Sequence, residues 1–321
     1  MIIDNHRLSA IVGLLVLSLS CSPFPRQDPQ PLSEDIASQQ MKILIIGNSY
    51  SEDAVALLPL IVNASGADVS NVCIYKVIRG SASFRKWVDI YHDRDSLSSY
   101  YIDYVLGDLN ANVSTGLGIA RDGSKFRRLL SDEQWDLIIL NQVSSFATDY
   151  DQWTTDGEGG CLNQLLDIIR DHQSHAKFGF LLIHSYAGNS RCSSLERWRL
   201  IVDSVKELRR DYAVDLIIPY GTAIQNLRSS SLNDKFDLTR DGSHCGFGLC
   251  RYTAACCFYE SVIAPICGVS VKGNLARYDA SNDHSTNPPI SVTDDNAPVA
   301  QLAAILAVEH WDRCVNPENE Y

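Results

Sequence analysis

Two apolar patterns alternate along this chain. Short, mostly apolar runs occur at residues 43–46 (Ile-Leu-Ile-Ile), 72–78, 135–140, 178–183 and 216–219. Runs this short and rich in β-branched residues predict strands buried on both faces. Between them, apolar residues recur at helical spacing, predicting helices over 53–66, 84–92, 162–172, 194–212 and 222–229, and another beginning at 125–130. A long apolar helix is expected over 247–264 and a last one over 297–313. Pro59 should kink the first helix or shift its start, and Gly66 should end it. Five strand–helix alternations give an α/β fold, a three-layer α/β/α sandwich with a five-stranded parallel sheet. Residues 95–120 break the rhythm. Tyr100, Tyr101, Tyr104 and Val105 favour a strand, while Asn110, Asn112, Gly116 and Gly118 favour turns. An inserted hairpin or a long loop is expected there.

The first 40 residues follow neither pattern. Arg7 supplies a positive start, and residues 11–19 form an apolar stretch too short to span a bilayer as a mature helix. Small residues then lead to Cys21. The arrangement resembles a bacterial lipoprotein signal, which implies cleavage before Cys21 and a lipid on its sulfur. Residues 22–40 are rich in Pro, Gln, Ser and Asp and read as a solvated tether. The expected organisation is therefore a signal at 1–21, a tether at 22–40 and a folded domain at 41–321. The expected location is the cell envelope, outside the cytoplasm, with the lipid anchor as the only membrane contact.

Charge removes one class of partner. The net charge of -12 on 321 residues argues against nucleic acid, which needs clustered Lys and Arg. Of ten cysteines, nine remain once Cys21 is set aside, so they cannot all pair. No Cys-x-x-Cys occurs, and no spaced ligand set accompanies Asp283-His284 or Asp294-Asp295. Neither a metal nor another cofactor is expected.

The chemistry-bearing residues sit at strand ends. Ser49, Gly80, Asn141 or Gln142, and His184 each follow a predicted strand. In a parallel sheet such ends converge on one edge, where ligands bind. Gly47 and Asn48 tolerate the turn that would present Ser49 at a helix start. A neutral Ser needs a base, itself oriented by a third group. Asp-x-x-His supplies both and occurs twice, as Asp89/His92 and Asp241/His244. The first pair falls inside a short amphipathic helix and reads as a solvated face. The second lies in a polar Gly-containing loop before a long apolar helix, a firm mount for an imidazole. A helix-capping Asp with a surface His is the other reading of that loop. His184 reads as a structural or pocket-shaping residue.

Gly47-Asn48-Ser49, Gly80, Asn141-Gln142 and Asp241-Gly242-Ser243-His244 together resemble the ordered blocks of the SGNH/GDSL hydrolases, across residues 42–250. The surrounding text is similar to a branch of uncharacterised secreted bacterial lipoproteins. Asn48 stands where many relatives have Asp, and Leu140-Asn141-Gln142-Val143-Ser144 departs from the usual Gly-x-Asn-Asp. The resemblance implies a flavodoxin-like sheet and a serine esterase. Ser49 would be nucleophile, His244 base and Asp241 its orienting carboxylate. The backbone N–H groups of Ser49 and Gly80, with an amide from Asn141 or Gln142, would hold the oxyanion. It also implies a small-molecule or glycan ester as substrate, with O-acetyl groups on carbohydrate favoured. A lipase or thioesterase of the same fold, and a non-catalytic glycan-binding surface lipoprotein on the same scaffold, are the alternatives.

Overall fold

A computed structural model describes residues 40–95, 99–107 and 117–320. The expected signal, Cys21 and all of the tether but Gln40 lie outside the described residues. Strand β1 (Met41–Gly47) is buried on both faces from Ile43 onward, as its unbroken aliphatic run requires. It pairs in parallel with β2 (Val72–Ile78) on one side, Ile43 opposite Ile74. On the other side it pairs in parallel with β5 (Leu137–Leu140), Ile43 opposite Leu137. Strands β6 (Lys177–Leu181) and β7 (Leu216–Ile218) extend that side, also in parallel.

The sheet is larger than the five parallel strands expected. It has seven strands and is mixed, in the order β4-β3-β2-β1-β5-β6-β7. Strands β3 (Tyr100–Leu106) and β4 (Gly118–Ala120) come from the stretch that broke the rhythm, and both pair antiparallel. Burial along β3 largely alternates, so one face of this hairpin packs and the other meets solvent. The hairpin covers the β2 edge of the parallel set, which would otherwise offer unpaired backbone groups. The five parallel strands keep the flavodoxin-like order.

The first helical stretch is two helices, α1 (Ser49–Val55) and α2 (Leu58–Ser65). Pro59 sits in the first turn of α2, where its missing N–H costs nothing, and Gly66 ends α2 at φ 66°. The next helices are α3 (Phe84–Tyr91), α4 (Ser124–Ser131), α5 (Leu162–His172), α6 (Ser194–Asp211) and α7 (Tyr220–Arg228). The expected long helix is interrupted. Helix α8 (Leu249–Phe258) passes through a wider turn at Tyr259–Ile263 into the short α9 (Ala264–Cys267), which carries Pro265. The chain ends with α10 (Ala297–Glu309).

Helices α1, α2, α7 and α10 all pack against α8. Almost every residue of α8 is buried, which fits an apolar helix at the centre of a layer. Helices α3, α4 and α5 pack against one another as a separate group. From β1 the chain steps to β2 on one side and later to β5 on the other. The crevice between the carboxyl ends of β1 and β5 is therefore the topological switch point, where such sheets bind ligands.

Candidate active site

The turn after β1 builds the site. Asn48 is fully buried and caps α1, its Oδ1 accepting from Tyr50 N–H at 3.1 Å. Ser49 is the first residue of α1, so its N–H has no intrahelical acceptor. Gly47 is required by close approach. A Cβ there would lie 2.1 Å from Ser51 Oγ and 2.3 Å from Asn141 Oδ1.

Ser49 Oγ lies 2.9 Å from His244 Nε2, and His244 Nδ1 lies 2.7 Å from Asp241 Oδ2. With the ring proton on Nδ1 facing the carboxylate, Nε2 is left to accept from the hydroxyl. Asp241 Oδ1 also accepts from the backbone N–H groups of Ser243 at 2.9 Å and His244 at 2.8 Å. Burial pushes the Asp241 carboxyl up, but these backbone donors and the imidazole outweigh it and hold it below the usual carboxylate range. The side chains of His244 and Asp241 keep 30% and 38% of their exposure, so the pair is open to solvent.

The Asp241–His244 loop is braced from several sides. Gly242 takes φ 87°, a turn its missing Cβ permits. Its carbonyl accepts from Ala187 N–H at 2.9 Å, beyond the end of β6. Tyr50 OH donates to the Ser243 carbonyl at 2.8 Å. The Tyr50 ring lies 4.8 Å from the ring of His184 and 5.5 Å from that of His244. His184 is fully buried, its Nδ1 2.8 Å from the Ser185 carbonyl, while its Nε2 has no partner among the described residues. Burial, and then the charge of the buried Arg228, bring its pKa down to about 3. It is a neutral structural ring beneath Tyr50.

The strand ends expected to supply oxyanion donors differ in what they offer. Gly80 is exposed, with nothing within 4 Å of a Cβ placed there. The left-handed residue of its turn is Ser81, at φ 55°. Arg79 N–H donates to the Gly47 carbonyl at 3.1 Å, so this turn abuts the Ser49 turn. Asn141 and Gln142 are both 1% exposed. Asn141 Nδ2 donates to Asn48 Oδ1 at 3.1 Å and to the Gln142 carbonyl at 3.0 Å, and its Oδ1 accepts from Ser51 Oγ at 2.6 Å. Gln142 Nε2 donates to the Gly159 carbonyl at 2.7 Å, away from the Ser49 turn. Asn48 Nδ2 in turn donates to the Ala82 carbonyl at 3.1 Å. Asn48 and Asn141 thus tie together the ends of β1, β2 and β5. The other Asp-x-x-His stands apart: Asp89 is bound by Arg85 at 3.1 Å, and His92 is exposed at the end of α3.

Sequence reasoning missed an ion cluster behind the site, built on a buried carboxylate. Asp53, on α1, is bound by Arg240 at 2.8 Å and by Arg251 at 2.6 Å. A signal existed in the chain: Asp53 lies one helical turn after Ser49 and leads directly into the apolar Ala54-Val55.

The model of the family described as "Domain of unknown function (DUF4886)" matches residues 42–288. None of the curated proteins matches the sequence. Among solved structures, this chain is similar to a DUF4886 family protein from Bacteroides uniformis, at 25% identity and a TM-score of 0.66. That match covers 88% of this chain and 99% of the other. It is also similar to a candidate SGNH hydrolase from Slackia heliotrinireducens, at 14% identity and a TM-score of 0.44, covering 70% of this chain and 99% of that one.

Proposed function

The chain belongs to the DUF4886 family, and from that premise we propose that it is a serine esterase of the SGNH type. One observation carries the reading: the continuous hydrogen-bonded line from Ser49 Oγ through His244 to Asp241. In this reading Ser49 Oγ attacks an ester carbonyl and its proton passes to His244 Nε2. Asp241 holds the ring and stabilises the imidazolium. The tetrahedral oxyanion is held by the N–H groups of Ser49, at a helix start, and of Gly80, whose turn is open to solvent. Collapse expels the alcohol, which takes the proton from His244. Water then releases the acyl group from Ser49 by the same path. Asn141 is the amide nearer this turn. To donate to the oxyanion it would exchange one of its two internal bonds.

The preferred substrate class is O-acyl carbohydrate, with acetyl favoured, and the working place is the cell envelope through a lipid on Cys21. A His and Asp that are part-exposed leave room for a bulky glycan ester. A fluorophosphonate probe tests the chemistry: labelling of the wild type that Ser49→Ala abolishes is expected, and no labelling of folded protein would refute it. For the acyl preference, p-nitrophenyl acetate should turn over faster than the octanoate. Faster octanoate turnover would point to a lipase instead.

A further inference from the structure

We infer that Asp53, Arg240 and Arg251 form a positioning clamp that sets the distance between the nucleophile's helix and the base's loop, an inference that rests on the proposed esterase. Asp53 belongs to α1, the helix that begins with Ser49, and its side chain is 1% exposed. Its carboxylate accepts from Arg240 at 2.9 and 2.8 Å and from Arg251 Nε at 2.8 Å. Arg240 directly precedes Asp241. Its backbone N–H donates to the His244 carbonyl at 3.0 Å, and its guanidinium also donates to the Cys245 carbonyl at 2.5 Å. Arg240, through its backbone and its side chain, therefore ties the start of the Asp241–His244 loop to its end and to the helix of Ser49. Arg251 lies on α8, against which α1 packs. Both guanidinium groups lie over the Phe247 ring, at 5.1 and 4.4 Å, which fixes their planes.

Stability is a poor reason for such a cluster. A buried ion pair gains little over well-packed apolar residues, because desolvation offsets most of the attraction. What charges add is registry: a carboxylate accepting from two forked guanidiniums admits few relative positions of the groups that carry them. The elements so fixed are the two whose separation decides the 2.9 Å between Ser49 Oγ and His244 Nε2. Asp53 touches no reacting atom. It acts through the geometry of those that do.

The test compares Asp53→Asn with Glu133→Gln. The latter breaks the Lys42–Glu133 ion pair, 2.7 Å long and part-buried, at the far end of β1. Turnover of p-nitrophenyl acetate is read well below each variant's melting temperature, together with the ring nitrogen signals of His244 by NMR. For Asp53→Asn, kcat should fall about 100-fold, the usual result of misplacing reacting groups by about 1 Å, with KM within about threefold. Its His244 signals should lose the Asp241-bound tautomer, while Glu133→Gln changes neither. Should Asp53→Asn not fold, Arg251→Gln removes half the clamp and should cost kcat about tenfold. Equal kcat in the Asp53 and Glu133 variants, with His244 signals unchanged, would overturn the clamp. If the wild type turns over no ester, yet Asp53→Asn alone perturbs the His244 signals, the clamp stands and the esterase reading falls.

Discussion

Lowering the pH should unlock this fold from beneath the site, through His184. Its folded pKa is depressed to about 3 from the ordinary 6.5. Below pH 6.5 the unfolded chain takes a proton that the folded chain refuses. The stability present above 6.5 is therefore lost as pH falls, and the loss ends near pH 3. Each pH unit inside that window costs about 1.4 kcal/mol, so the step from pH 8 to pH 5 removes about 2 kcal/mol through this one ring. That is a large share of an ordinary folding free energy. The Asp241 carboxyl is shifted in the same direction, held low in the folded chain, but its contribution begins to be lost only as pH falls below the ordinary value of 3.8. Between pH 8 and pH 5 the His184 loss therefore proceeds without that of Asp241. Urea unfolding of the wild type and of His184→Gln at pH 8, 7, 6 and 5 isolates the contribution of this ring, since the other titrating groups are common to both. The stability difference between them should shrink by about 2 kcal/mol from pH 8 to pH 5. A difference that stays constant would refute the reasoning, because it would mean that His184 charges in place without cost. Activity should follow the same ring, since His184 backs Tyr50 and Tyr50 holds the Ser243 carbonyl.

Gly47→Ala should destabilise the protein by about 1–3 kcal/mol, the cost of overpacking a filled space, and should lower kcat by disturbing Ser51 and Asn141; thermal unfolding and ester turnover check it. Asn48→Asp keeps the cap on Tyr50 but loses the donor to the Ala82 carbonyl. A loss of about 1–3 kcal/mol is expected by thermal unfolding. His244→Ala should collapse ester turnover by about 10³-fold or more, and His92→Ala should leave it unchanged. The reverse outcome would reassign the base to the other Asp-x-x-His.

By itself, the sequence determined the strands, the helices and the polar residues at the strand tips. Those features are local: a short, β-branched-rich aliphatic run suits a covered strand, and Gly47-Asn48-Ser49 necessarily lies at the tip of that strand. That the central strands run parallel followed from the alternation, while their order and the switch point came only with the fold. The hairpin at the edge was half legible, because Tyr-rich β3 alternates but its partner strand is three residues long. Which Asp-x-x-His stands beside Ser49 was a tertiary decision, made across a separation of 195 residues. So were the inward bonds of Asn141 and the pairing of Asp53 with two arginines 187 and 198 residues away. Propensity and periodicity carry no information at that range. A buried amide or carboxylate takes whichever partner the packed elements bring within hydrogen-bond reach, and only the folded arrangement of α1, α8 and the loop between α7 and α8 sets that partner.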